Sequence, residues 1–365
     1  MRANLYVMVL AGGSGERFWP LSRKTRPKQL LSLFSKESLL EATLARLEGL
    51  VPPERTLILT NRDQEAAVRA LAPALPPENI VAEPAKRDTA PAIALGAGWI
   101  ARRDPEATMI VLPADQLISD VAGFQNTLRT AAAAAAQSAQ PVTIGIKPTW
   151  PCPSFGYIEQ GAPVAIGGVE GNAPAVFEVC RFREKPSAEV AAEFLKAGNF
   201  RWNAGMFVWT IPTIRRELER HQPELGAFVT ALCASGKNGE SGEEVRALIE
   251  SEFPRLPKVS IDYAVMEKAE RVLEVESAFD WDDVGGWIAA SNYWKKDEAG
   301  NAFSGEVTTL EAANNIVFAD PKVRIALVGV DDLIVVQTGD AVLVCKRGDA
   351  DKIKNLVGKL PAELQ

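Results

Sequence analysis

Apolar residues follow two rhythms along the first half of this chain. Short unbroken runs at Leu5–Leu10 (LYVMVL), Thr56–Thr60, Thr108–Pro113 (TMIVLP) and Val142–Ile146 suit buried strands and are too short for helices. Between them, Leu39–Leu50, Gln64–Ala72 and Thr89–Arg102 place apolar residues three and four apart, which predicts helices. The alanine run Ala131–Ala136, between Phe124 and Gln137, predicts a further packed helix because alanine has the highest helix propensity. The alternation implies an α/β unit: a Rossmann-like, mostly parallel sheet flanked by helices, with ligands at the carboxyl ends of its strands.

The pattern then loosens. Prolines at 148, 151 and 153 forbid a regular helix, after which Phe155–Glu159 reads as strand. Arg201–Thr210 (RWNAGMFVWT) is a core strand in which Met206, Phe207 and Trp209 pack. A helical region from Ile211 to Ile249 is broken by a Gly/Ser-rich loop, Ser235–Gly242, and Ser260–Lys268 (SIDYAVMEK) opens like a capped helix whose Asp262 and Glu267 read as structural. Beyond Trp294 the segments are short and β-rich: Glu306–Leu310, Ile316–Ala319, Val323–Val330, Leu333–Thr338 and Ala341–Cys345, then a closing helix, Asp349–Leu360. Two domains are expected, residues 1–294 and a small β-rich unit, 295–365.

Composition narrows the function. A chain of 365 residues with 47% hydrophobic content can bury a large core, and a formal charge of −7 disfavours a general nucleic-acid surface. Four scattered cysteines (152, 180, 233, 345) form no C-x-x-C pair, so neither a disulfide framework nor a zinc site is expected, and a reducing cytoplasm fits. The single histidine, His221, leaves no histidine-dependent triad. No leader-like or membrane-spanning stretch is evident, so a soluble protein is expected.

The chemistry concentrates after the first strand, in LAGGSGERFWPLSRKTRPKQ (Leu10–Gln29). Gly12, Gly13, Ser14 and Gly15 permit a sharp turn that offers bare N–H groups to an anion, while Arg17 and Lys28 add fixed positive charge. The loop lacks the G-K-[ST] of a Walker sequence and the G-x-G-x-x-G of a dinucleotide turn. It closely resembles the signature of the sugar-nucleotide pyrophosphorylases, and its PLSRKTRPKQ half resembles the mannose-1-phosphate guanylyltransferase branch. Six later segments are similar to that family's motifs, so the resemblance covers essentially the whole chain.

Each segment also has a reading of its own. In EPAKRDTAPAI (Glu83–Ile93), Asp88 or Thr89 can cap a helix, while a carboxylate at Glu83 could accept the paired N1–H and amine donors of guanine. The resemblance implies that this segment lines the base pocket, with Asp88 where asparagine is usual. Asp115 in VLPADQLI either opens the next turn or ligates a hard divalent cation; the resemblance implies the latter, with Gln116 in place of the usual histidine. It further implies that Gly156, Glu184, Lys185 and Asn203 receive the sugar phosphate, with Arg183 as a departure. In FDWDDVGGW (Phe279–Trp287) it assigns Asp283 as the second metal ligand, with Gly286 where serine is commoner. Leu10, Ala11, Gly12, Gly13 and Gly15 would line the nucleotide, and Arg17 and Lys28 the triphosphate.

The resemblance therefore implies transfer of GMP from GTP to mannose 1-phosphate with Mg2+, in a form with no residues left for the isomerase domain of longer relatives. The small tail is expected to serve packing and subunit contact, a homodimer being one assembly open to it. Two alternatives stay open: a pyrophosphorylase for another base or hexose, and a regulatory subunit that senses the sugar nucleotide without making it.

Overall fold

A computed structural model describes residues 4–169, 173–235 and 242–365; the central residues of the Ser235–Gly242 loop lie outside the described residues. Nine strands form the main sheet: β1 (Leu5–Leu10), β2 (Thr56–Asn61), β3 (Ile80–Glu83), β4 (Thr108–Pro113), β5 (Val142–Ile146), β6 (Tyr157–Pro163), β7 (Val176–Arg183), β8 (Phe200–Thr210) and β9 (Leu273–Glu276). Their order is β3-β2-β1-β4-β8-β5-β9-β7-β6, with β8 also pairing β6.

The first half matches the expectation, since β3, β2, β1 and β4 are parallel neighbours. The mostly parallel sheet expected for the whole holds in strand direction, with β7 and β8 the two reversed strands, but its second half is mixed in pairing. β8 runs antiparallel against β4, β5 and β6, and β7 is antiparallel to both β6 and β9, leaving only β5 and β9 parallel in that half. A long returning strand from Phe200 to Thr210 therefore splices a parallel half onto a mixed one.

Helices cover both faces: α1 (Leu39–Ala45), α2 (Glu65–Leu71), α3 (Thr89–Ala101), α4 (Val121–Ser138), α5 (Ala188–Ala197), α6 (Ile211–His221) and α7 (Pro223–Ala234). Val7 and Val9 of β1 pack with Leu40, Val68, Phe124 and Leu128 on one side. Tyr6 and Met8 pack on the other, against α3, α6 and α7. Among the described residues no helix is long and apolar enough to cross a membrane.

The C-terminal strands stack in parallel rungs. Ala302–Ser304 pairs with Ile316–Phe318, which pairs with Leu333–Gln337, while Glu306–Leu310 pairs with Arg324–Val328 on a second face. Asn301 and Asn315, both fully buried, bond to each other between turns, as a β-helix-like coil requires of its inward polar groups. The expected closing helix is shorter, a 3-10 stretch Arg347–Lys352 followed by Ile353–Val357.

A third core joins this coil to the glycine-rich loop. Phe18, Trp19, Leu31 and Leu33 pack with Trp287, Ile316, Ile334, Val336 and Ile353. Trp19 Nε1 donates to the Leu364 carbonyl at 2.8 Å, Trp287 Nε1 donates to the Trp19 carbonyl at 3.1 Å, and Arg23 pairs with Asp340 at 2.8 Å. The tail thus braces the segment that carries Lys28.

Candidate active site

The loop after β1 lies between the carboxyl ends of β2 and β4, where Ala11 N–H donates to the Leu59 carbonyl and Ala114 N–H to the Leu10 carbonyl. Gly15 has φ +60°, and a Cβ there would lie 2.5 Å from the Lys28 backbone nitrogen, so only glycine lets the two ends of the loop close on each other. Gln29, buried, donates through Nε2 to the carbonyls of Ala11 (2.8 Å) and Gly13 (3.2 Å), and Gln64 Nε2 donates to Gly13 as well. With the carbonyls held from beneath, the loop's N–H groups are left for a ligand. Neither glutamine stands out in the sequence as a supporting residue; Gln29 is visible there only as the end of the motif.

Lys28 is the centre of the charged group. Its side chain is only 7% exposed, and Nζ donates to Asp115 Oδ2 at 3.1 Å and to the Asp283 carbonyl at 2.5 Å. Asp115 and Asp283 come from loops far apart in sequence that are stitched by two backbone bonds, Leu117 N–H to Asp282 O (2.9 Å) and Asp282 N–H to Leu117 O (3.0 Å). Asp282 is occupied elsewhere, accepting from Val284 N–H and the Tyr293 hydroxyl, both at 2.7 Å. Arg17 Nη1 donates to the Gly285 carbonyl at 2.9 Å, beside Asp283. Burial pushes the Asp283 carboxyl up, with Lys28 and Arg17 pulling it down and Asp115 pushing it up. All four residues expected to handle phosphate and metal are therefore together.

Glu83 ends β3 against the loop: a Cβ on Gly12 would sit 3.4 Å from Glu83 Oε2. Its other oxygen, Oε1, is buried with no hydrogen-bond partner among the described residues, and burial, helped by Asp88, pushes the carboxyl up to about 8. Such an oxygen is costly to leave unsatisfied and calls for a donor from a ligand. Asp88 itself caps α3, accepting from Thr89 N–H at 2.8 Å from a φ of +72°, so the side chain expected in the base pocket is bonded to its own helix.

On the far side, Gly156, Glu184 and Asn203 converge. A Cβ on Gly156 would collide with Glu184 Oε2 and touch Asn203 Cβ at 3.4 Å, so the missing side chain makes room there. Asn203 Nδ2 donates to Asp262 Oδ1 at 2.8 Å. Lys185, at φ +45°, stands at the rim with an exposed side chain 3.2 Å from Glu184. Asp262, read from the sequence as structural within a capped helix, belongs to this cluster; the segment Asp262–Met266 is a π-type turn. Gln116 Nε2 donates to the Ala204 carbonyl at 2.7 Å, tying the Asp115 loop to the strand that bears Asn203. Gly286 leaves ordinary room for a serine, a Cβ there lying 3.6 Å from Arg17 Cβ. Among the described residues no group of three or more His, Cys, Asp or Glu side chains is gathered as a metal site, and none of the four cysteines forms a disulfide.

Three comparisons bear on this geometry. The family model for nucleotidyl transferases matches residues 6–299, and that for a MannoseP isomerase/GMP-like beta-helix domain matches residues 305–360. The chain is 37% identical to the xanthan biosynthesis protein XanB of Xanthomonas campestris pv. campestris over 97% of this chain and 72% of that protein. It is also 37% identical to a mannose-1-phosphate guanylyltransferase of Sinorhizobium fredii, covering 97% of this chain and 67% of that one. A crystal structure named as a mannose-1-phosphate geranyltransferase from Thermus thermophilus superposes with a TM-score of 0.83 at 37% identity, over 98% of this chain and 99% of the other. With its loop, its paired carboxylates and these likenesses in agreement, the chain belongs to the nucleotidyl transferase family, followed by the family's β-helix domain.

Proposed function

We propose that this protein transfers GMP from GTP to mannose 1-phosphate, releasing pyrophosphate. The observation that carries the reading is the meeting of Lys28 with Asp115 and Asp283 at the mouth of β1, between Glu83 on one side and Glu184 and Asn203 on the other. The unpartnered oxygen of Glu83 supports guanine, whose Watson–Crick edge offers two adjacent donors to one carboxylate. Relatives named mannose-1-phosphate guanylyltransferase support the sugar.

A sugar phosphate oxygen attacks the α-phosphorus, a P–O bond forms in line, and the bond to the β-phosphate oxygen breaks to release pyrophosphate. The attacking phosphate is already anionic near neutral pH, so the reaction needs neither a protein nucleophile nor a general base. The chain's own work is alignment and charge: loop N–H groups hold the phosphates, Arg17 and Lys28 meet the charge that shifts to the leaving group, and Glu184 and Asn203 orient the hexose. Asp115 and Asp283 fit a divalent ion, which we take to be magnesium, since two carboxylates with phosphates and water satisfy it. When bound, that ion supplies charge neutralisation between the substrates' phosphates. Residues 1–294 hold the site in this reading and 295–365 brace it, in a reducing cytoplasm that suits four cysteines with no disulfide.

The test is pyrophosphate release by purified protein with magnesium and GTP against a panel of hexose 1-phosphates. Strong preference for mannose 1-phosphate is expected. Binding of GDP-mannose with no release of pyrophosphate from any pair would instead make the protein a sensor.

A further inference from the structure

Asp262 lies 59 residues from its hydrogen-bond partner Asn203 and is held there from two directions. Its own segment is pinned to the start of α3, the base-side helix, by Ile261 N–H donating to Thr89 Oγ1 (2.8 Å) and Ala90 N–H donating to the Val259 carbonyl (3.1 Å). Its backbone carbonyl accepts from Glu267 N–H at 2.9 Å, closing the wide π-type turn. Wide turns of this kind cost helix geometry and recur where a side chain must be aimed.

The bonds of the Asn203 amide decide what it can offer. Oδ1 accepts from Gly205 N–H at 3.1 Å and from the Thr143 hydroxyl at 3.2 Å, the latter shared with the Met206 carbonyl. One Nδ2 hydrogen goes to Asp262, and the other has no partner among the described residues. An amide anchored at both ends holds that last N–H in one fixed direction, and the Asn203 side chain borders the space that Gly156 keeps open beside Glu184. The charged groups facing Asp262 are Glu184 and Glu267, with Arg183, Lys185 and Lys268 around them. Burial and the Glu184 charge push the Asp262 carboxyl up to about 6, as two acids sharing one wall must. Neutral hydroxyl donors relieve such a wall without adding charge.

Resting on the reading of this pocket as the sugar site, we propose that Asp262 is a positioning residue: it fixes the Asn203 amide so that its free N–H meets a hexose hydroxyl beside Glu184.

The experiment compares wild type, Asp262→Ala, Asp262→Asn, Asn203→Ala and the double variant Asn203→Ala/Asp262→Ala, measuring kcat and KM for each substrate. Losing a hydrogen bond to a charged group is expected to raise the KM for mannose 1-phosphate about tenfold in Asp262→Ala, with the KM for GTP within about twofold. Asp262→Asn keeps an acceptor for the same bond and is expected to stay within about threefold of wild type. Because Asp262 acts through Asn203, the double variant should be no more than about twofold worse than Asn203→Ala. If Asp262→Ala does not fold, Asp262→Glu, which displaces the carboxylate by one methylene, should show the same sugar-only rise. Losses that multiply in the double variant, or equal rises in both KM values, overturn the proposal. Failure of the underlying reading shows separately, in a wild type that turns over no hexose 1-phosphate, and the proposal falls with it.

Discussion

Replacing Lys28 by methionine keeps most of the side chain's volume and removes only its charge, which makes it the sharpest probe of the site. The ammonium now sits 3.1 Å from Asp115 Oδ2 and 2.5 Å from the Asp283 carbonyl, with 7% of the side chain exposed. Breaking a fully buried ion pair costs about 3–5 kcal/mol, but Asp115 is 38% exposed and solvent screens it, so about 2 kcal/mol of stability is the expected loss. The kinetic loss is larger. One preorganised charge aimed at a developing anion is worth about 100-fold to 1000-fold in kcat, or about 3–4 kcal/mol. The two losses can be told apart by assaying pyrophosphate release well below the thermal midpoint, where a destabilised but folded enzyme keeps its kcat. A third signature follows from electrostatics: with the ammonium gone, Asp115 and Asp283 are freed from a competing cation, so half-saturation by magnesium should fall even as kcat collapses. A folded Lys28→Met enzyme with kcat within about threefold of wild type would refute the role given to this lysine.

Glu83→Gln keeps one acceptor but loses the second, and is expected to raise the KM for GTP about tenfold or more while narrowing the preference over UTP, read by competition assay. In the free protein Glu83 is protonated below about 8, and in the proposed reading the base is held by the carboxylate, so the KM for GTP should fall as pH rises through 8 and level above it, a slope absent in the glutamine variant. Stability carries the opposite sign: Glu83, Glu274 (about 7) and Asp262 (about 6) all hold protons more tightly folded than unfolded, so the ligand-free protein should lose stability as pH rises from about 4.5 to 8, checked by urea unfolding. Gly15→Ala forces a Cβ 2.5 Å from the Lys28 nitrogen at φ +60°, and should lower kcat/KM at least tenfold while circular dichroism is unchanged. Trp287→Ala empties the joint between tail and loop, at a cost of about 3–5 kcal/mol in urea unfolding, with activity falling because Trp19 loses its bond from the Trp287 indole.

How much of this is visible in the chain differs by element. The strands β1, β4 and β5 are legible to the residue because continuous apolar runs admit no other reading. β7 and β9 carry no such signal: the first is half exposed, and the second has Glu274 in its middle, a buried acid whose partner Gln160 lies 114 residues away. The reversed strand β8 is missed for a related reason, since nothing local in Phe200–Thr210 says which neighbours it will choose or in which direction. Lys28, Asp115 and Asp283 can be named because each sits in a motif, whereas their closeness depends on the backbone bridge between Leu117 and Asp282. Asp262 reads as merely structural because its partner Asn203 is remote, and a capped helix explains its neighbourhood well enough until the π-type turn is seen.

The central claim is that two aspartates and a buried lysine meet around one nucleoside triphosphate. Its most direct measurement is a crystal of the protein grown with GTP and manganese, a probe for the divalent site, with data collected at the manganese absorption edge. The account predicts one anomalous peak within about 2.2 Å of carboxylate oxygens of both Asp115 and Asp283, with triphosphate oxygens on its open side and in reach of Lys28 and Arg17. A peak away from either aspartate, or a triphosphate bound outside the Gly12–Gly15 loop, contradicts it.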